Sequence, residues 1–306
     1  MRNIEKVALL GAGAVGAYFI WGLSGKLGDN FCVIANGERK ERLEREGLII
    51  NGKQYKLNVK DTEKAGIQDL ILVSSKSDAL PQLLNDIKRM TGPDTLVLSL
   101  LNGVSSEEII GKEIGMEHMA YAVMRIASVR KGNDIIFSEE NTAGIYVGEK
   151  DVKEPTERLK AFEELLKDTG IRYNLVENIV LDMWMKYASN VAQNLPQAIL
   201  SVGYQAYKDS EHVHFIAEKL WKEVAAVANA KGIPLTDRFL LFRGVKPEAR
   251  FSTLQDLDAG RHTEIEMLAG EMVAMGKECG ILVPYCEYTY HLIKALEEKN
   301  DGKFEY

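Results

Sequence analysis

Apolar residues along this chain follow two rhythms, and the change between them falls near residue 177. Before it, short unbroken apolar runs recur: EKVALL at 5–10, FCVIA at 31–35, LILVS at 70–74 and LVLSL at 96–100. Runs this short, bounded by turn residues, read as strands buried on both faces of a parallel sheet. Between them lie stretches with apolar residues at helical spacing: AYFIWGLSGKL, SDALPQLLNDIKRM and SSEEIIGKEIG. Strand and helix in alternation predict a sheet covered by helices on both faces.

From about 120 to 149 the pattern changes. ASVRKGNDIIFSE and TAGIYVGE read as antiparallel strands around a KGND turn and are expected to extend one edge of the sheet. EPTERLKAFEELLKDTG then reads as a helix with a glycine stop, and IRYNLV as the last strand. Past 177 strand signals vanish. MWMKYASNVAQNLPQAIL at 183–200, HFIAEKLWKEVAAVANAKG, TEIEMLAGEMVAMGKECG and YCEYTYHLIKALEEKN all read as helices. The expected architecture is an N-terminal α/β domain over 1–177 and an all-helical domain over 178–306.

Composition narrows the class. The chain has 306 residues, enough for two packed domains, and its 46% hydrophobic and 27% charged content is that of a soluble globular protein. A net charge of −7 and a pI near 5.5 give no electrostatic footprint for nucleic acid. No apolar run is long enough to span a bilayer, the start does not match a signal peptide, and the expected location is cytoplasmic. Cys32, Cys279 and Cys286 are too few and too irregular for a disulfide framework or a zinc site, and no metal is expected.

The first strand runs straight into GAGAVG, residues 11–16, followed by a helix. Gly11, Gly13 and Gly16 match the dinucleotide turn, in which the first glycine allows the tight turn and the second lets a pyrophosphate approach. The third allows close helix–strand packing, and the helix N-terminus supplies amide donors. The position between strand and helix at the start of a βαβ unit is the context that supports it. The α/β domain is thus expected to be of Rossmann type, with Gly11, Ala12, Gly13, Ala14, Val15 and Gly16 against the cofactor. At the tip of the second strand Asn36 stands where NAD-binding units place an acidic residue for the ribose. Arg39 and Lys40 follow. An amide with two cations suits a 2′-phosphate, so NADP is the favoured cofactor; Glu38 beside them keeps NAD as the alternative.

Three polar groups stand out as candidates for chemistry. Lys186, Asn190 and Asn194 recur at every fourth position of an otherwise apolar helix and form one stripe. Asparagine is a poor helix former, so two on one face need a reason. Asn102, just past the strand LVLSL, and Lys76, just past LILVS, sit at strand ends, where open α/β sheets bind ligands. In FSTLQDLDAGRHTEIEMLAG, Ser252 has capping-box spacing to Gln255, and Glu264 lies in the first turn of a helix that Thr263 precedes. From local sequence alone, capping accounts for both.

In order along the chain, GAGAVG, VSSKSD, LNGV, Trp184-x-Lys186-x-x-x-Asn190-x-x-x-Asn194 and FSTLQDLDAGRHTEIE resemble the ketopantoate reductase (2-dehydropantoate 2-reductase) family over nearly the whole chain. The resemblance implies NADPH and an α-keto acid in the cleft between a Rossmann and a helical domain, with ketopantoate reduced to pantoate on the way to pantothenate and coenzyme A. It implies Lys186 as the general acid and Glu264 as the residue that holds the substrate hydroxyl and orients the lysine. Asn190, Asn194 and Ser252 would position substrate, Asn102 would span substrate and nicotinamide, and Lys76 would lie near the cofactor phosphates or ribose. A lysine with its ordinary pKa of about 10.4 is charged at neutral pH, so it both stabilises and protonates an alkoxide.

The chain departs from the family's pattern at Asn36, where many relatives carry an arginine. Asn194-Leu195-Pro196 replaces a common Asn-Pro, and His262 an often-found proline. A divergent member is implied, and the alternatives are a dehydrogenase for another 2-keto acid or opine-type substrate, or a non-catalytic NADP(H) sensor. The expected partner is a small keto acid, with no nucleic acid or membrane, and the expected state is monomer or homodimer. Trp221 is expected in the core rather than at a dimer contact.

Overall fold

The computed structural model describes residues 3–126, 128–242 and 244–304. Its strands are β1 (Val7–Leu10), β2 (Phe31–Ile34), β3 (Leu48–Ile50), β4 (Lys53–Tyr55), β5 (Val59–Lys60) and β6 (Gln68–Val73). They continue with β7 (Thr91–Ser99), β8 (Met119–Arg125), β9 (Ser128–Lys131), β10 (Asp134–Phe137), β11 (Gly144–Gly148) and β12 (Tyr173–Leu175). Eight form one sheet in the order β12-β11-β8-β7-β6-β1-β2-β5. From β5 through β8 every pairing is parallel. Strand order reverses at β1, the topology of doubly wound nucleotide-binding sheets, which take ligands at the carboxyl ends of the strands beside that reversal. All of β1 is buried, as a strand covered by helices on both faces must be. The fold is α/β, Rossmann-like in its N-terminal part and helical in its C-terminal part.

The KGND hairpin corrects the sequence reading. β9 and β10 do pair antiparallel, but they do not extend the main sheet; they join β3 and β4 in a separate four-stranded sheet, β4-β3-β10-β9. The reason lies in one-sided burial. Ile135 and Phe137 are buried while Ile136 between them is 57% exposed, so the hairpin needs one packing face, not two. The helix Ala14–Leu27 supplies it: the Phe137 ring sits edge-on to Tyr18 at 5.3 Å and to Trp21 at 5.5 Å. The edge of the main sheet is taken by β11, antiparallel to β8, and then by β12.

The chain divides into two compact units, one of residues up to Leu101 with Ser105–Val180, the other of Asn102–Val104 with Leu181 onward. In the second unit the expected helix 183–200 is interrupted. An α-helix over Ile179–Ser189 passes into a wide π turn at Asn190–Asn194 and resumes as α over Leu195–Leu200. A second π turn, Glu266–Gly270, leads into the helix Glu271–Cys279, and the two wide turns pack on one another. Around them lie helices Glu211–Ala230, Ser252–Asp258 and Pro284–Asn300. Trp221 is wholly buried, its indole N–H donating to the Thr236 carbonyl at 2.8 Å, so it belongs to the core. Among the described residues no helix is long and apolar enough to cross a membrane.

Candidate active site

In the first unit the glycine turn is shaped by three different constraints. Gly11 has φ +108°, and a Cβ there would stand 2.6 Å from the Ser74 backbone. A Cβ on Gly16 would stand 2.0 Å from the Gly11 carbonyl oxygen. Gly13 is the opposite case: among the described residues, nothing beyond its chain neighbours lies within 4 Å of where its Cβ would be. Gly13 is also the N-cap of the helix Ala14–Leu27, so no side chain caps the helix, and its first turn holds no acidic residue. Open space and uncapped amide donors fit a phosphate group. Ala12 is buried, while Ala14 and Val15 are half-buried along the same turn.

The tip of β6 is tied to this turn, since the Ser74 hydroxyl donates to the Gly11 carbonyl at 2.6 Å. Lys76, two residues on, is exposed and opens the short turn Ser77–Ala79. Sequence reasoning missed Arg130. From β9, its guanidinium donates to the Ala12 carbonyl at 3.5 Å and brings a cation to the turn.

At the tip of β2, Asn36 is the exposed N-cap of the helix Gly37–Glu46, and its side chain makes no capping bond. The two cations after it part company. The Lys40 ammonium is 3.1 Å from Asp61, which neutralises it. Arg39 instead lies near a like charge: partial desolvation first, then the Arg42 guanidinium one turn along, draw its pKa below the usual arginine value. Two guanidiniums on one helix face make an anion-seeking pair.

In the second unit, four residues of α-helix turn about 40° past a full revolution, so Lys186, Asn190 and Asn194 would drift around a regular helix. The π turn at 190–194 advances less per residue and offsets that drift. Asn194 is buried, Lys186 and Asn190 half-buried. Lys186 Nζ donates to Asn102 Oδ1 at 2.7 Å, and Asn102 Nδ2 donates to Glu264 Oε2 at 2.9 Å. The amide orientation is fixed by chemistry, because an ammonium only donates and a carboxylate only accepts. The structure thus joins Lys186, Asn102 and Glu264, residues 162 apart at the extremes of the Asn102–Glu264 bond, in one chain of hydrogen bonds. Gly103 makes this possible. Its φ is +103°, and a Cβ would press on the Met267 side chain at 2.8 Å.

Glu264 is not inside a helix. It stands at the cap of the helical turn that begins at Ile265, its carbonyl accepting from the Leu268 N–H at 3.1 Å, while the Ile265 N–H donates to the Thr263 hydroxyl at 3.2 Å. Thr263 is itself held by Glu297, whose Oε1 accepts from both its N–H and its hydroxyl at 2.7 Å. Ser252 also differs from expectation: Phe251 is the N-cap of Ser252–Asp258, and the Gln255 amide donates to Arg250 instead of closing a capping box. The capping account therefore fails for the exposed Ser252. No hydrogen bond joins Ser252 to the lysine chain among the described residues.

Besides Arg130, sequence reasoning missed two buried polar residues. Tyr187 donates its hydroxyl to the Leu268 carbonyl in the second wide turn, and burial pushes its pKa well up. Glu297 is 2% exposed on the buried face of Pro284–Asn300, in line with Cys286, Thr289 and Ile293. A carboxylate at such a position was the available signal.

The profile of the ketopantoate reductase PanE/ApbA family matches residues 7–151, and that of its C-terminal domain matches 178–297. A 2-dehydropantoate 2-reductase of Pyrococcus horikoshii is 31% identical, over 97% of this chain and 99% of that protein. The chain belongs to the ketopantoate reductase family. It is an oxidoreductase of that type. Among solved structures, a PanE/ApbA family ketopantoate reductase from Ralstonia eutropha matches with TM-score 0.80 and 26% identity, over 97% of this chain and 99% of that one. D-mandelate dehydrogenase, solved with NADH and anilino(oxo)acetate, matches with TM-score 0.83, at the same identity and coverage.

Proposed function

We propose that this chain reduces ketopantoate to pantoate with NADPH, with residues 1–177 serving the cofactor and 178–306 the substrate. The observation that carries the proposal is the Lys186–Asn102–Glu264 chain, which gathers an ammonium, an amide and a carboxylate from three distant segments. A nicotinamide dinucleotide, when bound, supplies the hydride.

The side chains do the rest. Lys186 donates a proton from Nζ to the substrate carbonyl oxygen as that oxygen gains charge, and solvent returns a proton to the amine. Asn102 holds one of the three ammonium protons and so aims the other two. Glu264 fixes the Asn102 amide, and through it the lysine; its remaining oxygen is the acceptor for a substrate hydroxyl. Asn190 and Asn194 offer amides along the lysine's face, and Ser252 a hydroxyl at the start of its helix. On the cofactor side, the turn 11–16 would cradle the pyrophosphate, with Lys76 near the phosphates or ribose and Asn102 near the nicotinamide. Arg39 beside Asn36 would hold the 2′-phosphate, Lys40 being engaged by Asp61.

A second reading is reduction of another 2-keto acid by the same residues, favoured by the likeness to D-mandelate dehydrogenase. Purified protein is assayed by nicotinamide absorbance with ketopantoate and a panel of 2-keto acids, with NADPH and with NADH. Ketopantoate should be turned over fastest, and NADPH should be preferred. Faster turnover of an aromatic keto acid would give the second reading; NADPH binding with no turnover at all would make the chain a sensor.

A further inference from the structure

The wide turn that carries Asn190 and Asn194 has a side chain built into its hydrogen-bond ladder. In an uninterrupted α-helix the Gln197 N–H would donate to the Gln193 carbonyl. Here the Tyr207 hydroxyl engages both groups: it accepts from the Gln197 N–H at 3.1 Å and donates to the Gln193 carbonyl. Pro196, one residue earlier, has no N–H to offer. A group inserted into the i→i−4 ladder and a missing donor are two of the recognised causes of a helix irregularity.

The inserted phenol is firmly held. Tyr207 is 1% exposed, packed with Tyr204, Val213 and Ala217, and burial pushes its pKa far above the ordinary tyrosine value, so the hydroxyl keeps its proton. Gln197 extends the arrangement. Its side-chain amide donates to the Ala249 carbonyl at 2.9 Å and accepts from the Phe251 N–H at 2.6 Å, docking the strand of chain that leads into Ser252. Gln197 is wholly buried and all of these bonds are made inside the second unit.

We propose that Tyr207 is a positioning residue: its phenol keeps the 190–194 turn wide and thereby sets Asn194 against Lys186, and through Gln197 sets Ser252. It touches neither Lys186, Asn190 nor Asn194 by hydrogen bond among the described residues; it acts through the backbone between them. Without the hydroxyl, Gln197 N–H and Gln193 C=O are free to close a regular α turn, which rotates Asn194 away from the lysine's line. The kinetic arm of this inference rests on the keto-acid reduction proposed above.

Tyr207→Phe removes the hydroxyl and keeps the ring. With the best keto acid of the panel, KM should rise about tenfold or more, since ångström-scale misplacement of positioning groups has effects of that size. The turnover number and the dinucleotide Kd should stay within about twofold, because Lys186 and the glycine turn are untouched. An unchanged KM overturns the proposal, as does a parallel fall of KM, turnover and cofactor binding with the folded fraction. If Tyr207→Phe does not fold, Tyr207→Met, a flexible apolar filler, carries the same expectation. Crystal structures decide independently of any substrate. Wild type should hold the phenol between Gln193 and Gln197, and the variant should lose the wide turn. A wild type with a direct Gln197–Gln193 bond, or a variant with the turn unchanged, sinks the inference even where no keto acid is turned over and the functional reading has failed.

Discussion

The glycine turn and the lysine helix ask opposite things of the chain. The turn at 11–16 is local: six consecutive residues, in which Gly16 is confined by the Gly11 carbonyl and Gly11 by the adjoining strand tip at Ser74. The lysine site is assembled from afar, since Asn102, Lys186 and Glu264 meet only after the second unit has folded. A local device depends on what a residue lacks, here a Cβ. An assembled device depends on what holds each residue, and its holders are buried polar groups distant in sequence. Substitutions should therefore fail in different ways at the two places.

The largest effect is expected at the assembled site. Lys186→Ala should lower turnover by about 10²- to 10⁴-fold, the usual contribution of a positioned proton donor, while the dinucleotide Kd stays near wild type. Steady-state kinetics with a binding titration checks both halves. Retained turnover would remove Lys186 from the chemistry. Asn102→Ala should reproduce part of the loss by removing a group that orients the ammonium.

The glycine turn separates stability from binding within three residues. Gly16→Ala puts a methyl 2.0 Å from a backbone oxygen, so it should destabilise the first unit by about 1–3 kcal/mol, as overpacking does. Gly13→Ala meets open space and has φ −87°, so thermal stability should be unchanged while dinucleotide affinity falls. Paired melts and titrations read the contrast. Equal destabilisation by both substitutions would mean that the space at Gly13 is not kept for a ligand.

Cofactor preference should give way next. Arg39→Ala should cut the NADPH-over-NADH preference by about 10- to 100-fold, from the loss of charge-assisted bonds worth about 1.5–3 kcal/mol. Lys40→Ala should leave it unchanged, because that ammonium already pairs with Asp61. Loss at Lys40 and none at Arg39 would reverse the assignment.

How much of this was legible follows the same division. The strands β1, β2, β6 and β7 show in the sequence because each contains an unbroken buried run of at least four residues, and the glycine turn because its spacing is fixed by local sterics. β3, β4 and β5 were missed: LII, KQY and VK are too short to show a period. The hairpin β9–β10 is legible in the sequence but its sheet is not, since its partner is chosen by Phe137 meeting Tyr18 and Trp21. Among site residues, the stripe Lys186–Asn190–Asn194 stood out by spacing, but the wide turn that keeps it aligned did not. A π turn leaves no pattern of its own; Pro196 was the visible part, and Tyr207 lies ten residues beyond Gln197.

The smallest effect tests a holder. Glu297 stabilises the turn before Glu264 through Thr263, and it faces Lys294 at 3.1 Å and His262 at 3.7 Å, with Glu266 on the far side of Lys294 at 3.4 Å. Burial alone would raise the pKa of this carboxyl, but the two Thr263 bonds and the Lys294 ammonium outweigh it and leave it lowered. A carboxyl with a lowered folded-state pKa adds stability that is fully present above its unfolded value, about 4.3, and is lost as pH falls through the folded value. Glu297→Gln keeps the shape and an acceptor for Thr263 but cannot titrate. Its melting temperature should lie below wild type above about pH 5, by an amount that shrinks steadily on acidification as the native carboxyl protonates. Melts across that range in both proteins measure it, and a gap that does not change with pH would mean that Glu297 acts by shape alone. At neutral pH the variant's KM should move less than that of Glu264→Gln, because Glu297 holds the turn while Glu264 holds Asn102 itself.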